Sequence, residues 1–406
     1  MAFAELRRAS RVAGVMFLAP NSASPTATVP AFGAFDREPS VAAWFDPAVG
    51  CYAGVPLCLA FASPETAAQP VLGVPAVARA LREVLLAGWT CCTVAVPGGW
   101  HPSSAVAAEI ARLAPGLKLT YITAVPHRAD LLIVHGEELA SARELQRRTQ
   151  GPIPMEISAS VSLSRARAML AAAARRLQVG TAKPGDGIVA RHLNRPLSQA
   201  ISRAALRWFG PLHPNIATLG TALIGAVMLA CLLRFPGYNG LLLGALLFQC
   251  ASIFDGVDGE LARATFRATP LGGTLDSLVD AATNLLFFAG IVYNLYAQGD
   301  RFSAALALVA LGGLALGTAL LGRRARMDSG VIDFNAVKQV VARDRTRTMQ
   351  LLTWLTMRDF YAAAALVLIA CGLIVPAVWA FAIVVAGWLV VVLSALARLR
   401  PRPYVD

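Results

Sequence analysis

Between Asp255 and Asp280 the chain reads DGVDGELARATFRATPLGGTLDSLVD, with four aspartates set between long apolar runs. An ionised aspartate near the middle of a membrane helix costs roughly 2.5 to 3.5 kcal/mol, so four without compensation would cost on the order of 10 kcal/mol. A membrane is what the flanking sequence suits. From residue 211 onward, apolar stretches of about 20 residues recur, each long enough as a helix to cross a hydrocarbon core of about 30 Å. A chain that folds with this segment must bring the four carboxylates a counter-charge, and divalent metal is the direct candidate.

The spacing says how the acids meet. Asp255, Asp258, Gly259, Ala262 and Arg263 stand at i, i+3, i+4, i+7 and i+8, along one helical face, and Gly272, Asp276 and Asp280 follow at steps of four on the next helix. Pro270, Gly272 and Gly273 are read as the turn that returns the second helix beside the first. Carboxylates from two helices make an all-oxygen site of the kind hard cations choose, so Mg²⁺ or Mn²⁺, as a pair of ions, is expected rather than zinc. Such a site can neutralise a pyrophosphate and orient in-line attack at phosphorus. Gly259 and Ala262 let a ligand come close to the backbone, Arg263 can clamp phosphate, and one aspartate can accept the proton of an attacking hydroxyl.

Six spans are expected, at about 214–233, 239–262, 272–297, 302–322, 360–375 and 377–398. Loops on one side carry Arg263, Arg267, Arg323, Arg324, Arg326, Lys338, Arg343, Arg345 and Arg347, and the tail adds Arg398, Arg400 and Arg402. The opposite side offers little beyond Arg234 and Arg301. This bias puts the N-terminal domain, the C-terminus and the aspartates at the cytoplasmic face, in an expected bacterial or archaeal inner membrane. The net charge of +12 is therefore assigned to anionic lipid headgroups. Nucleic acid is excluded as a partner because basic and aromatic residues are not interleaved in any recognition module.

The first 190 or so residues look soluble. Strands are expected at 12–18, 90–96, 118–122 and 129–134 and helices at 72–88 and 105–113, a three-layer α/β domain. The apolar run after Arg7, Arg8 and Arg11 is short and breaks at Asn21, so it reads as the first strand rather than a signal peptide. Seven cysteines without CxxC spacing suggest a reducing compartment. A basic helix at 164–180 leads to an amphipathic one from Arg195 to Phe209, whose Leu197, Ile201, Ala205 and Trp208 share a face suited to the membrane surface. The division expected is an α/β domain over 1–180, a linker and interfacial helix over 181–210, and an all-α six-helix transmembrane domain over 211–400.

The segment from Asp255 to Asp280 resembles the CDP-alcohol phosphatidyltransferase family, matching D-x2-D-G-x2-A-R-x8-G-x3-D-x3-D at every fixed position. The resemblance implies transfer of a substituted phosphoryl group from a CDP-alcohol, either CDP-diacylglycerol or a polar one such as CDP-inositol, to an acceptor hydroxyl. CMP is released, in phospholipid or phosphodiester synthesis. It implies that Asp255, Asp258, Asp276 and Asp280 hold metal, that Asp280 is also the general base, and that Gly259, Ala262, Arg263 and Gly272 contact the cytidine nucleotide. The stretch PVLGVPAVARALREVLLAGWTCCTVAV is similar to sugar-phosphate nucleotidyltransferases. That family's Gly, Arg and Lys are missing from the matching loop 20–24, however, and its metal-binding Asp is missing near His135-Gly136-Glu137. An inactive, scaffolding or regulatory domain is expected. KPGDGIVARHLNRP resembles the junction of fused proteins, among them enzymes that make inositol phosphodiesters. The expected acceptor is therefore inositol, inositol phosphate or a lipid, with Arg358 and Asp359 at its polar group or, equally, a snorkelling pair. Gly313 and Gly317 suit close helix packing, in a homodimer or within one chain. An intramembrane prenyltransferase and a non-catalytic nucleotide-sensing membrane protein are the alternatives.

Overall fold

The computed structural model describes residues 55–126, 131–150, 161–182, 186–329 and 357–398. The expected strand at 12–18, the loop 20–24 and the basic residues Lys338, Arg343, Arg345, Arg347, Arg400 and Arg402 lie outside the described residues. The chain divides into two compact units, residues 1–171 with 207–210 and residues 172–206 with 211–406.

In the first unit, β1 (Leu57–Ala60), α1 (Pro64–Ala68), β2 (Pro70–Val71), β3 (Val74–Pro75), α2 (Ala76–Leu86), β4 (Cys91–Ala95), α3 (Ser104–Leu113), β5 (Lys118–Ile122), β6 (Leu132–His135) and α4 (Ala142–Thr149) follow in order. Four strands form a parallel sheet in the order β5-β4-β1-β6, with Leu59 opposite both Val94 and Val134. All four residues of β1 are buried, as a strand covered on both faces must be. The α/β class is as expected, but β1 and the β2–β3 hairpin were not. Four apolar residues are too few to carry a period. The hairpin is made by a two-residue turn in which Leu72 and Gly73 both have positive φ, 47° and 79°. Arg79, buried behind that turn, donates from Nε to Val71 O at 2.8 Å and holds it shut.

Helix α5 (Leu163–Val179) begins in the first unit and ends in the second. The second unit continues with a short π-helical turn at Ala190–Asn194 and then α6 (Arg195–Phe209), α7 (Pro214–Arg234), α8 (Tyr238–Thr265), α9 (Pro270–Ala297), α10 (Arg301–Ser329), α11 (Arg358–Ala370) and α12 (Ile374–Arg398). Five of these, α7 to α10 and α12, are long and apolar enough to cross a membrane. The expected fifth span differs, because α11 has 13 residues, which rise about 20 Å at 1.5 Å each. The turn between α8 and α9 also differs from expectation. Phe266 at φ 55° ends α8, and Thr269 caps α9 by accepting from Gly272 N at 3.0 Å. Pro270, Gly272 and Gly273 thus open the helix, with proline at a first-turn position where no N–H is needed.

The core of this unit is a stack of rings. Phe248 lies on Phe287 at 4.1 Å, and Phe288 on Phe381 at 3.6 Å. Gly317 receives the Trp388 ring, and Gly313 faces Val385, so the small-residue stripe of α10 is spent on α12 of the same chain. It gives no support to a homodimer. Along α6, Ser198, Ser202 and Leu206 are buried while Leu197, Ile201 and Trp208 are exposed.

The six described cysteines are free. Burial pushes the Cys58 thiol up to about 11 and the Cys92 thiol higher still, so both stay protonated and unreactive at pH 8. Peptide mapping after brief maleimide treatment of the folded protein should find Cys91, which is exposed, labelled, and Cys58 and Cys92 labelled only after denaturation.

Candidate active site on α8 and α9

Period dictates the site. A step of three keeps Asp255 and Asp258 on neighbouring turns of α8, and a step of four keeps Asp276 and Asp280 on one stripe of α9. The two helices bring the acids together as two pairs. Asp258, only 6% exposed, lies within hydrogen-bonding reach of Asp276. Its Oδ2 accepts from Thr218 Oγ1 on α7 at 2.7 Å, and its Oδ1 accepts from Gly259 N. Asp255 and Asp280 are bridged by Arg358 from the start of α11, whose Nη1 is 3.4 Å from Asp255 Oδ1 and closer to Asp280 Oδ1. The guanidinium also lies over the Phe248 ring, 5.6 Å from its centroid.

This arrangement tests whether a cation fits. Two carboxylates in contact repel unless a proton or a cation lies between them, and at the second pair a guanidinium already takes the cation's place. The donors are all oxygen, as hard divalent ions prefer. Among the described residues no three acidic, histidine or cysteine side chains stand close enough to share a single ion, so the acids form pairs rather than a closed cage. The donor chemistry fits a hard divalent cation.

The other signature residues lie at the end of α8 and the start of α9. The Arg263 guanidinium is folded back beside Gly259, where a Cβ would come within 2.9 Å of Nη1. Arg263 Nε donates to Thr181 O at 2.7 Å, while Nη2 is buried and makes no hydrogen bond among the described residues. The Ala262 carbonyl closes α8 by accepting from Arg267 N at 3.0 Å. Gly272 sits against Asn215 of α7, with Oδ1 3.2 Å from where its Cβ would be. Arg358 thus joins the acid cluster, whereas the adjacent Asp359 accepts through Oδ2 from Ala190 N at 2.7 Å.

Sequence reasoning missed Thr218, Glu260 and Arg195. Thr218 had a signal, a hydroxyl one turn into an apolar span. Glu260, 1% exposed, accepts from Ser198 Oγ at 2.6 Å, Ser202 Oγ at 2.7 Å and Arg195 Nη1 at 3.2 Å. Arg195 also forks onto Asp186 at 2.6 and 3.0 Å. Burial works against its charge, but Asp186 and Glu260 outweigh that and hold the guanidinium above its usual range. In the first unit, Glu137 is buried and accepts through Oε1 from Ala62 N at 2.7 Å and Thr66 Oγ1 at 2.8 Å. Glu137, just after β6, thus meets the loop that follows β1.

Residues 211–393 match the family described as CDP-alcohol phosphatidyltransferase. Three curated relatives share the description "Bifunctional IPC transferase and DIPP synthase". The protein of Thermococcus kodakarensis is 36% identical over 123 residues, 30% of this chain and 26% of the relative. That of Aquifex aeolicus is 33% identical over 118 residues, 29% and 25% of the two chains, and that of Archaeoglobus fulgidus 35% over 113 residues, 28% and 21%. The chain thus spans about a quarter of the length of the curated relatives it matches.

Thr218→Val removes the hydroxyl that satisfies a buried carboxylate and should cost about 1–3 kcal/mol. The check is a lower thermal midpoint of the detergent-solubilised protein, recovered by Thr218→Ser.

Proposed function

We infer the chemistry of this chain from the premise that residues 211–393 are a CDP-alcohol phosphatidyltransferase domain: it transfers a substituted phosphoryl group from a CDP-alcohol to an acceptor hydroxyl and releases CMP. The observation that carries this reading is the meeting of the signature acids from α8 and α9, in two pairs, beside an arginine with an unsatisfied buried donor. The family match stands against the prenyltransferase alternative, and the intact acid set against a purely sensory role.

In the proposed mechanism, Asp255, Asp258, Asp276 and Asp280 hold a pair of Mg²⁺ or Mn²⁺ ions, whose chemistry when bound is to withdraw charge from the phosphate oxygens. Arg263 Nη2 donates to the donor's phosphate, and Gly259, Ala262 and Gly272 leave room for the cytidine nucleotide beside the two helix ends. Asp280 accepts the proton of the acceptor hydroxyl. The acceptor oxygen forms a bond to the phosphorus that carries the donor alcohol, the P–O bond to CMP breaks, and CMP leaves with the electron pair. Arg358, against Asp280, holds the acceptor's anionic or polar group, with Asp359 as the second acceptor residue.

We further propose a polar headgroup, inositol or inositol phosphate, as the alcohol. The names of the relatives and the KPGDGIVARHLNRP junction support it, and a lipid is the other partner. The bias of basic loops supports a site on the cytoplasmic side of a bacterial or archaeal inner membrane, with the N-terminal unit and C-terminus on that side. The N-terminal unit acts as a scaffold. Glu137 occupies an amide and a hydroxyl at the strand ends where a phosphate would otherwise bind, which supports the loss of nucleotidyl transfer.

Purified protein with Mg²⁺ and a panel of CDP-alcohols and acceptors should release CMP, and Asp280→Asn should lower the rate by about 10² to 10⁴ without lowering the thermal midpoint. Unchanged turnover in that variant would remove Asp280 as the base. Arg358→Met should melt earlier than wild type in EDTA and return to the wild-type midpoint on adding Mg²⁺, because a divalent ion can replace the lost guanidinium. An equal loss with and without Mg²⁺ contradicts a cation site at Asp255 and Asp280.

A further inference from the structure

Helix α8 carries a second polar stripe, of which the proposed transfer uses Arg263 alone. Gln249, Ser252, Gly256, Glu260 and Arg263 follow at steps of three and four, and each meets Thr181 or a residue between Asn194 and Ser202. Gln249 Nε2 donates to Asn194 Oδ1 at 2.8 Å, and Asn194 Nδ2 donates to Ser252 Oγ at 3.1 Å. At Gly256 a Cβ would stand 3.0 Å from Arg195 Nη1 and 3.1 Å from Ser198 Oγ, so only glycine leaves the arginine room. Glu260 takes three donors from α6, and Arg263 gives Nε to the Thr181 carbonyl.

The charges along this contact balance. Asp186 and Glu260 are two acids, Arg195 and Arg263 two cations, all largely withdrawn from solvent. Within that balance Arg263 is fixed at Nε, and its Nη2 is left without a hydrogen bond. A guanidinium pinned at one nitrogen with another unsatisfied is oriented for an anion before the anion arrives, which lowers the entropic cost of binding.

We propose that Glu260 is a positioning residue for the donor nucleotide: through Arg195 and the strap formed by Thr181 and residues 186–202 it sets where Arg263 presents its unsatisfied nitrogen. The inference rests on the reading that Arg263 binds the CDP-alcohol. With the Glu260 charge removed, Arg195 and Arg263 become neighbouring cations short of one acid, and Arg263 is drawn from the strap towards Asp258. Donor affinity then falls, while the acid pairs that perform the transfer are untouched.

The test is Glu260→Gln in the full-length protein, which keeps the side chain's shape and an acceptor oxygen for the serines. Steady-state CMP release is measured against donor and acceptor separately, with CMP binding measured by calorimetry. The expected result is a donor KM raised about tenfold, CMP affinity lowered by the same factor, and kcat and acceptor KM within about twofold of wild type. Removing the surplus charge as well, in the double variant Glu260→Gln with Arg195→Gln, should recover most of the donor KM. Ser198→Ala, which deletes one donor and keeps every charge, provides the milder variant if Glu260→Gln does not accumulate, with a donor KM raised about two- to threefold. A lower melting temperature with unchanged donor KM and CMP affinity, or an equal fall in kcat and both specificities, overturns the proposal and makes the strap structural. Absence of CMP release from the wild type would instead sink the reaction assignment, so the two failures are distinguishable.

Discussion

Carboxylates among apolar helices persist only when each finds a cation, a proton or a hydrogen-bond donor, and the second unit is arranged to supply them. Thr218 comes from α7, Arg358 from α11, and the four acids from α8 and α9, so four helices must stay in register for the cluster to be satisfied. That requirement accounts for the tight return between α8 and α9, in which Phe266 turns the chain and Thr269 restarts it. It also accounts for the ring stack of Phe248, Phe287 and Phe288 next to the cluster. Phe248 is packed into the core and at the same time lies under the Arg358 guanidinium. Apolar packing and charge compensation thus share a residue, and a shift of α11 would disturb both.

Helix α8 serves two partners with two stripes. One stripe turns Asp255 and Asp258 towards α9, and the other holds Glu260 and Arg263 against the strap that leads in from the linker. The strap reaches α11 as well, through Ala190 N and Asp359. The segment between the α/β unit and the spans is therefore bonded to both helices that frame the acid cluster. This gives the fused architecture a physical consequence inside the second unit.

Much of the site was legible because charge in an apolar run is rare and its spacing is fixed by the helical period. The acids at steps of three and four, Arg263 beside Gly259, and the α/β pattern of residues 72–122 all follow from periodicity. Other parts were not legible, for identifiable reasons. Arg195 reads as a polar-face charge of an amphipathic helix and Glu260 carries no reading of its own, since a polar residue facing another polar residue leaves no mark in hydropathy. The three small residues after Thr269 look like a turn by composition, yet proline at a first-turn position suits a helix start equally well. The glycines of α10 suited packing without saying against what, and Trp388 of the same chain took the space. Strand β1 was too short to show a pattern, and its burial depends on β4 and β6, which are distant in sequence.

The acid pairs of α8 and α9 are proposed to hold two divalent cations. Titration of the purified protein with Mn²⁺, followed by electron paramagnetic resonance, tests it without reference to any substrate. The expected result is saturable binding of two ions per chain, displaced by Mg²⁺ and lost in Asp258→Asn. Binding that is absent, or that persists unchanged in that variant, would contradict it.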